Sequence, residues 1–247
     1  MHPAPGAAIT TTMTTTTISA IIIMTDASLS DDGFLKLLTW LSPAFPTGGF
    51  AYSHGIEWAV ESNDAKSTAG IVAWICDILE HGSGRTDAIL LRHAHRAAND
   101  AAALTEIVEL AAALPACRER LLETTAQGNA FIAAAKAWPH PVLAGLAGEI
   151  AYPVAVGAIA AAHGIAEDRA VLGFLHAFAA NLVSAAVRLI PLGQQAGLRI
   201  MAALEPVLVS VTEESRDLTL DDIGTAAIRT DLAAMHHETQ YTRLFRT

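Results

Sequence analysis

The sequence predicts an all-α protein, a single-domain helical bundle of roughly ten helices, and three observations carry that reading. From Asp31 onward the apolar residues recur at helical spacing nearly everywhere. No run of alternating apolar and polar residues flanked by hairpin turns occurs. Composition agrees, since the chain is rich in alanine, 52% hydrophobic and only 16% charged, which supplies ample apolar helical surface. With 247 residues and no internal linker, it can bury one sizeable core.

Residues 1–28 are set apart as a Thr-rich leader. Residues 10–17 are threonine with a single methionine, a low-complexity composition expected to be disordered, and Met24 is an alternative start. The apolar run Ile18 to Met24 has no Lys or Arg before it and is too short to span a bilayer, so it is not read as a signal peptide. The helical domain is expected over 29–247. A Leu-rich helix precedes Ser42, and another holds Trp58. Ile71, Trp74, Ile75, Ile78 and Leu79 form a single stripe on the next. Further helices are expected from about Asp87 to Ala98, around Leu104, Ile107, Val108 and Leu110 ahead of Pro115, and from Ala116 to Trp138, where Pro139 and Pro141 bar continuation. Between Lys136 and Glu167 the only formal charge is Glu149, among small residues that include Gly145, Gly148, Pro153 and Gly157. Such residues suit a buried central helix better than a membrane span. A wide stripe from Val171 to Ile190 marks a helix over Ala166–Ile190, closed by Pro191. Two more follow, Gln194 to Val211 and Asp221 to about Glu238, the latter opened by carboxylates that suit exposed amides.

Several chemistries are excluded. A formal charge of −10 with no basic stripe argues against nucleic acid as a ligand. Cys76 and Cys117 cannot make a disulfide framework and lack metal-ligand spacing, so both are expected to be core thiols in a reducing cytosol. Ten histidines invite a metal reading, but His93 and His95 point about 200° apart on a helix, and His236 and His237 are adjacent. No His-Glu-x-x-His, Cys-x-x-Cys or nucleophile elbow occurs, and Gly48-Gly49 lacks the following Lys-Ser/Thr of a phosphate loop. No catalytic residue, cofactor or metal site is expected.

Three segments stand out. The first, Ser42-Pro43-Ala44-Phe45-Pro46-Thr47-Gly48-Gly49-Phe50-Ala51-Tyr52-Ser53-His54-Gly55-Ile56-Glu57, is an aromatic-rich break whose rings either cap the core or form a docking surface. In the second, Ser184-Ala185-Ala186-Val187-Arg188-Leu189-Ile190-Pro191-Leu192-Gly193-Gln194-Gln195, the guanidinium interrupts an apolar run, as a structural group bonded to nearby carbonyls or as an interface anchor. The third is the end, His236-His237-Glu238-Thr239-Gln240-Tyr241-Thr242-Arg243-Leu244-Phe245-Arg246-Thr247. It mixes arginine with aromatic groups as interface hot spots do. This tail either packs on its own domain or docks a partner, and docking is the expectation taken here.

In order and spacing these segments resemble the UreF family of urease accessory proteins, over roughly Phe34 to Thr247. The matching positions are Pro43, Pro46, Gly48, Phe50, Tyr52, Ser53, Gly55 and Glu57, then Arg188, Pro191, Leu192, Gly193 and Gln194. Glu238, Arg243, Leu244, Phe245 and Arg246 complete them, with Arg118-Glu119-Arg120 and Gly128 a looser match between; Tyr241 joins the expected partner-binding residues as an aromatic group of the tail. The resemblance implies an all-α homodimer with no catalytic role, while composition and charge give the expectation of a cytoplasmic protein that meets neither membrane nor nucleic acid. It also implies complex formation with UreD/UreH and the UreG GTPase, and delivery of nickel to apo-urease through that complex. On this reading the tail orders in a groove of UreD/UreH, and the Arg188 turn contacts UreG or a second copy. Two other roles remain open: regulation of the UreG GTPase through Arg188, Arg243 or Arg246, and direct carriage of nickel.

Overall fold

The computed structural model describes Met1 and residues 30–247; the leader and its alternative start lie outside the described residues. The described residues form ten α-helices and four short 3-10 segments joined by turns and loops, with no strand among them. The helices are α1 (Asp31–Trp40), α2 (Ile56–Glu61), α3 (Thr68–His81), α4 (Ser83–Arg96), α5 (Ala101–Ala113), α6 (Arg118–Ala135), α7 (Tyr152–Ala162), α8 (Glu167–Leu189), α9 (Gln194–Glu214) and α10 (Ile228–His237). Local chemistry starts several of them. Ser30, Ser67 and Asp100 are N-caps whose side chains accept from Gly33, Gly70 and the Ala102 and Ala103 amides.

The stretch of small residues is the centre of the molecule. From Pro153 to Ala160 every residue of α7 is buried, packed against α4, α6 and α8. Small side chains are what permit this closeness. A Cβ placed on Gly157 would lie 2.2 Å from the Leu91 carbonyl oxygen of α4, and one on Gly128 of α6 would lie 2.0 Å from that of Ile150. Around α7 one continuous core joins Ile71, Ile75, Leu91, Phe131, Ile159, Phe174 and Leu204, all with side chains essentially excluded from solvent. Helix α8 is the one described helix long and apolar enough to cross a bilayer, but half of its apolar stretch is buried, against α9, α7, α4, α2 and α3.

Three expectations are corrected. The helix expected from Asp221 begins at Ile228, because Asp222 instead accepts from the Thr219 amide and hydroxyl, both at 2.8 Å, and closes a single 3-10 turn. The chain then runs extended, letting the Ala226 amide donate to the His81 carbonyl at 2.8 Å. The helix expected from Asp87 starts one turn earlier, at Ser83, directly after the break at Gly82. Neither cysteine is fully buried. Cys76 packs at the edge of the core and Cys117 is the N-cap of α6. Burial, with Glu80 beside Cys76, still pushes both thiols above their ordinary range, so neither is activated.

Candidate functional site: a tail clasped by two motifs

The first segment leaves α1 through turns and re-enters helix at α2. His54 and Gly55 are both left-handed, with φ of 58° and 80°, and this pair reverses the chain. Glycine is required at 55 for a second reason, since a Cβ there would sit 2.8 Å from the Ala234 amide nitrogen of α10. Phe45 packs against Phe131 and Trp138, and Tyr52 and Ser53 are buried, so this half of the segment caps the core. Phe50 behaves differently, standing 65% exposed. Asn181 of α8 donates to the Gly49 carbonyl at 2.9 Å and fixes the loop there, while Pro43, Pro46 and Gly48 stay on the surface.

Arg188 lies in the last turn of α8, where its charge suits the carbonyl end of the helix. Its Nε donates to the Ser184 carbonyl at 3.3 Å and a terminal nitrogen to the Phe50 carbonyl at 2.8 Å. The guanidinium is stacked on two rings, 3.6 Å from the Phe50 centroid and 4.2 Å from that of Phe245. One residue from each of the three segments therefore meets at a single point. Pro191 and Gly193 end α8 and turn the chain into α9, Leu192 packs on the core, and Gln194 is exposed at the start of α9.

The tail packs on its own domain, which corrects the expectation that it waits for a partner to order it. Leu244 and Phe245 donate their amides to the Glu57 carboxylate at 2.6 and 2.9 Å. Arg246 donates its amide to the Ala51 carbonyl at 2.8 Å, and the Ser53 amide donates to the Thr247 carbonyl at 2.7 Å. Arg243 reaches Glu119 at 2.9 Å, and the Thr247 hydroxyl reaches Glu123 at 3.0 Å. Phe245 is only 5% exposed. A segment with three consecutive amides paired and its ring buried has less to gain by folding elsewhere. Glu238 accepts from the Glu119 amide at 3.3 Å and so serves the open N-terminus of α6.

Below the tail runs a buried polar layer. His237 lies between Glu57 and Glu119, and His54 between Glu123 and Ser83. Burial raises the Glu123 carboxyl, opposed by Arg120 and by the Thr247 hydroxyl. Burial, then the Glu123 charge, pushes Asp87 up to about 8. Asp87 opens on a cavity of about 160 Å³ whose polar lining includes Arg120, Thr124 and Asp231. The other histidines behave as the sequence suggests. His93 and His95 point apart, to the Leu218 and Ile165 carbonyls, and His236 stacks on Trp58. Among the described residues no group of three or more His, Cys, Asp or Glu is placed to hold a metal ion.

Above the clasp the surface is aromatic, aliphatic and basic. Phe50, Tyr241 and Leu244 are exposed beside Arg243 and Arg246, on a protein of net charge −10. Comparison with known proteins gives this constellation its context. The family model described as UreF matches residues 65–205, more than half of the chain. A protein of Bradyrhizobium sp. (strain BTAi1) named urease accessory protein UreF is 51% identical over 225 residues, covering 89% of this chain and 94% of its own length. The chain belongs to the UreF family. Proteins of that name from Rhodopseudomonas palustris (strain BisB18) and Methylobacterium sp. (strain 4-46) are 52% and 50% identical, each over 86% of this chain and 91% and 88% of their own lengths. UreF proteins are accessory proteins rather than enzymes, as the want of a catalytic motif in the sequence suggests.

Sequence reasoning missed the acceptors that hold the tail. Glu119 stands only in the looser middle match, Glu123 carries no motif, and for His237 the sequence argues against a metal ligand without naming the groups it meets. The partners of His237 are 180 and 118 positions away, a pairing that no local pattern reveals.

Proposed function

We propose that this chain is the adaptor of urease maturation: it joins UreD/UreH and the UreG GTPase in one cytoplasmic complex that carries nickel to apo-urease. The observation that supports this best is the Phe50–Arg188–Phe245 stack, which spends three motifs on presenting one rigid patch rather than on chemistry. A patch of Phe50, Tyr241, Leu244, Arg243 and Arg246, ordered before binding, loses little entropy on docking and fits an acidic, apolar-floored groove of UreD/UreH. UreG and the second copy of a homodimer engage other faces in this reading, and the exposed Pro191 and Gln194 turn is a contact for one of them. Deleting the whole tail is a poor test, because it also strips the buried layer. Leu244→Asp and Tyr241→Ala alter only exposed side chains. In co-expression with UreD/UreH and UreG, Leu244→Asp should lose UreD/UreH capture at least about tenfold while helicity is unchanged. Full capture and full urease activation by that variant would remove the patch from the proposal.

A second reading, regulation of the UreG GTPase by a supplied arginine, has one observation in its favour. Among the described residues Arg188 is held in the clasp and Arg243 by Glu119, whereas Arg246 is exposed with only its backbone engaged, so of the three it is the one placed to reach a partner. UreG turnover with and without an Arg246→Ala protein separates this role from simple docking.

A further inference from the structure

His237 is wholly buried in the last turn of α10, with Nε2 3.1 Å from Glu57 Oε2 and Nδ1 2.7 Å from Glu119 Oε2. Both ring nitrogens thus face carboxylate oxygens, which only accept. An imidazole satisfies two such neighbours only when it carries two N–H groups; either neutral tautomer turns a lone pair on one carboxylate. The same two carboxylates hold the tail. Glu57 accepts the Leu244 and Phe245 amides, and Glu119 accepts the Arg243 guanidinium.

The surrounding charges close the argument. Glu57 comes from α2, and Glu119, Arg120 and Glu123 from α6, with Arg243 from the tail. On α10, Asp231 accepts from the Thr225 hydroxyl at 3.1 Å and His236 stacks on Trp58, and just past its end Glu238 accepts from the Glu119 amide. From the loop, His54 meets Glu123 and the Ser83 hydroxyl, which one N–H and one lone pair satisfy. From α4, Asp87 approaches Glu123. Helix α3 meets the opposite end of α10, where Trp74 lies under Arg229. Glu57, Glu119 and Glu123 are therefore balanced by Arg120, Arg243 and a doubly protonated His237. Removing one ring proton leaves a surplus negative charge away from water.

We propose that the docked tail is a proton-gated latch in which doubly protonated His237 locks Glu57 and Glu119 onto residues 241–247, and loss of one ring proton releases that segment from the domain. Asp87 acts in the same direction, because its carboxyl, raised to about 8, adds a further negative charge beside Glu123 as the solution becomes alkaline. The latch is a property of the isolated chain, so its test is independent of which partner the exposed patch meets.

The full chain is followed from about pH 5.5 to about pH 8.5, the range over which imidazole changes charge. Nitrogen shifts of the His237 ring report its protons. Hydrogen exchange of the Leu244 and Phe245 amides, corrected for the chemical rate at each pH and referenced to amides of α7, reports the latch. We expect tail protection to fall about tenfold or more relative to α7, with the same midpoint as the ring. In His237→Gln, tail protection should be low at every pH and without a midpoint; should that protein fail to fold, the wild-type titration decides alone. Tail protection that tracks α7 throughout overturns the latch, as does ring deprotonation with no change in the tail amides. A ring that keeps one proton, or both, across the whole range while the tail stays docked overturns it equally.

Discussion

Replacing Arg188 by alanine should undock the tail without unfolding the protein. The side chain contributes two cation–π contacts, at 3.6 and 4.2 Å, and a charged hydrogen bond of 2.8 Å to the Phe50 carbonyl. Each stack is worth about 0.5–1 kcal/mol where solvent reaches the group, and the bond about 1.5 kcal/mol. Against these stands the cost of withdrawing the guanidinium from water, visible in the lowered pKa that burial gives Arg188. The balance is about 2 kcal/mol, or a roughly 30-fold rise in the open tail population. Helicity should be unaffected, because the Arg188 backbone remains in α8 and the α7 core is untouched. Hydrogen exchange read by mass spectrometry checks this: a peptide spanning 238–247 should exchange about 30-fold faster in Arg188→Ala at fixed pH, while peptides from α7 keep the wild-type rate. Arg188→Lys should fall between, since an ammonium cannot stack flat on two rings at once. Wild-type protection of the tail in Arg188→Ala would refute the clasp and leave the anchoring to Glu57, Glu119, Glu123 and the backbone bonds to Ala51 and Ser53.

Further outcomes follow from the same geometry. Gly157→Ala forces a methyl to within 2.2 Å of the Leu91 carbonyl, a backbone atom that cannot swing away, so α4 and α7 must separate; a loss of about 3 kcal/mol and a melting point lower by about 10 °C are expected by calorimetry. Asp87 holds a proton that the unfolded chain releases, so its favourable contribution is complete below about 4 and is lost as pH rises through about 8. Asp87→Asn should match wild type in urea midpoint near pH 4 and exceed it near pH 9, by about 2 kcal/mol once solvent in the adjoining cavity is allowed for. An equal offset at both pH values would count against a neutral buried carboxyl. Leu244→Asp should spare folding and the clasp while weakening UreD/UreH capture, which pull-down from co-expressing cells measures.

How much of this was legible in the sequence differs by element. The stripe Ile71, Trp74, Ile75, Ile78 and Leu79 is buried along α3 as its spacing predicts, and the end of α8 falls beside Pro191. Boundaries that depend on a distant contact are not legible in local sequence. The start of α10 moved to Ile228 because the preceding strip of chain is tied to His81 of α3. The candidate site was legible as three separate motifs, and Arg188 as a group in need of acceptors. Its acceptor and its two rings were not legible, since Phe50 and Phe245 stand 138 and 57 positions away from it.

The sequence by itself determined that the protein is helical, that its centre is made of small residues, and that its unusual chemistry lies in a Pro/Gly aromatic loop, an Arg-Pro-Leu-Gly turn and an Arg-Phe tail. Those are consequences of local periodicity, backbone restriction and composition, which act within a few residues. Only the tertiary structure decided that the tail belongs to its own domain. Its energy comes from Glu57, Glu119, Glu123 and Arg188, four charged groups on three helices, brought together by the close approach of α2 to α10 at Gly55, the packing of α10 on α6, and the tie of α8 to the loop at Gly49. A carboxylate in a sequence is only an acid; which amides and which imidazole it faces is fixed by how the helices pack.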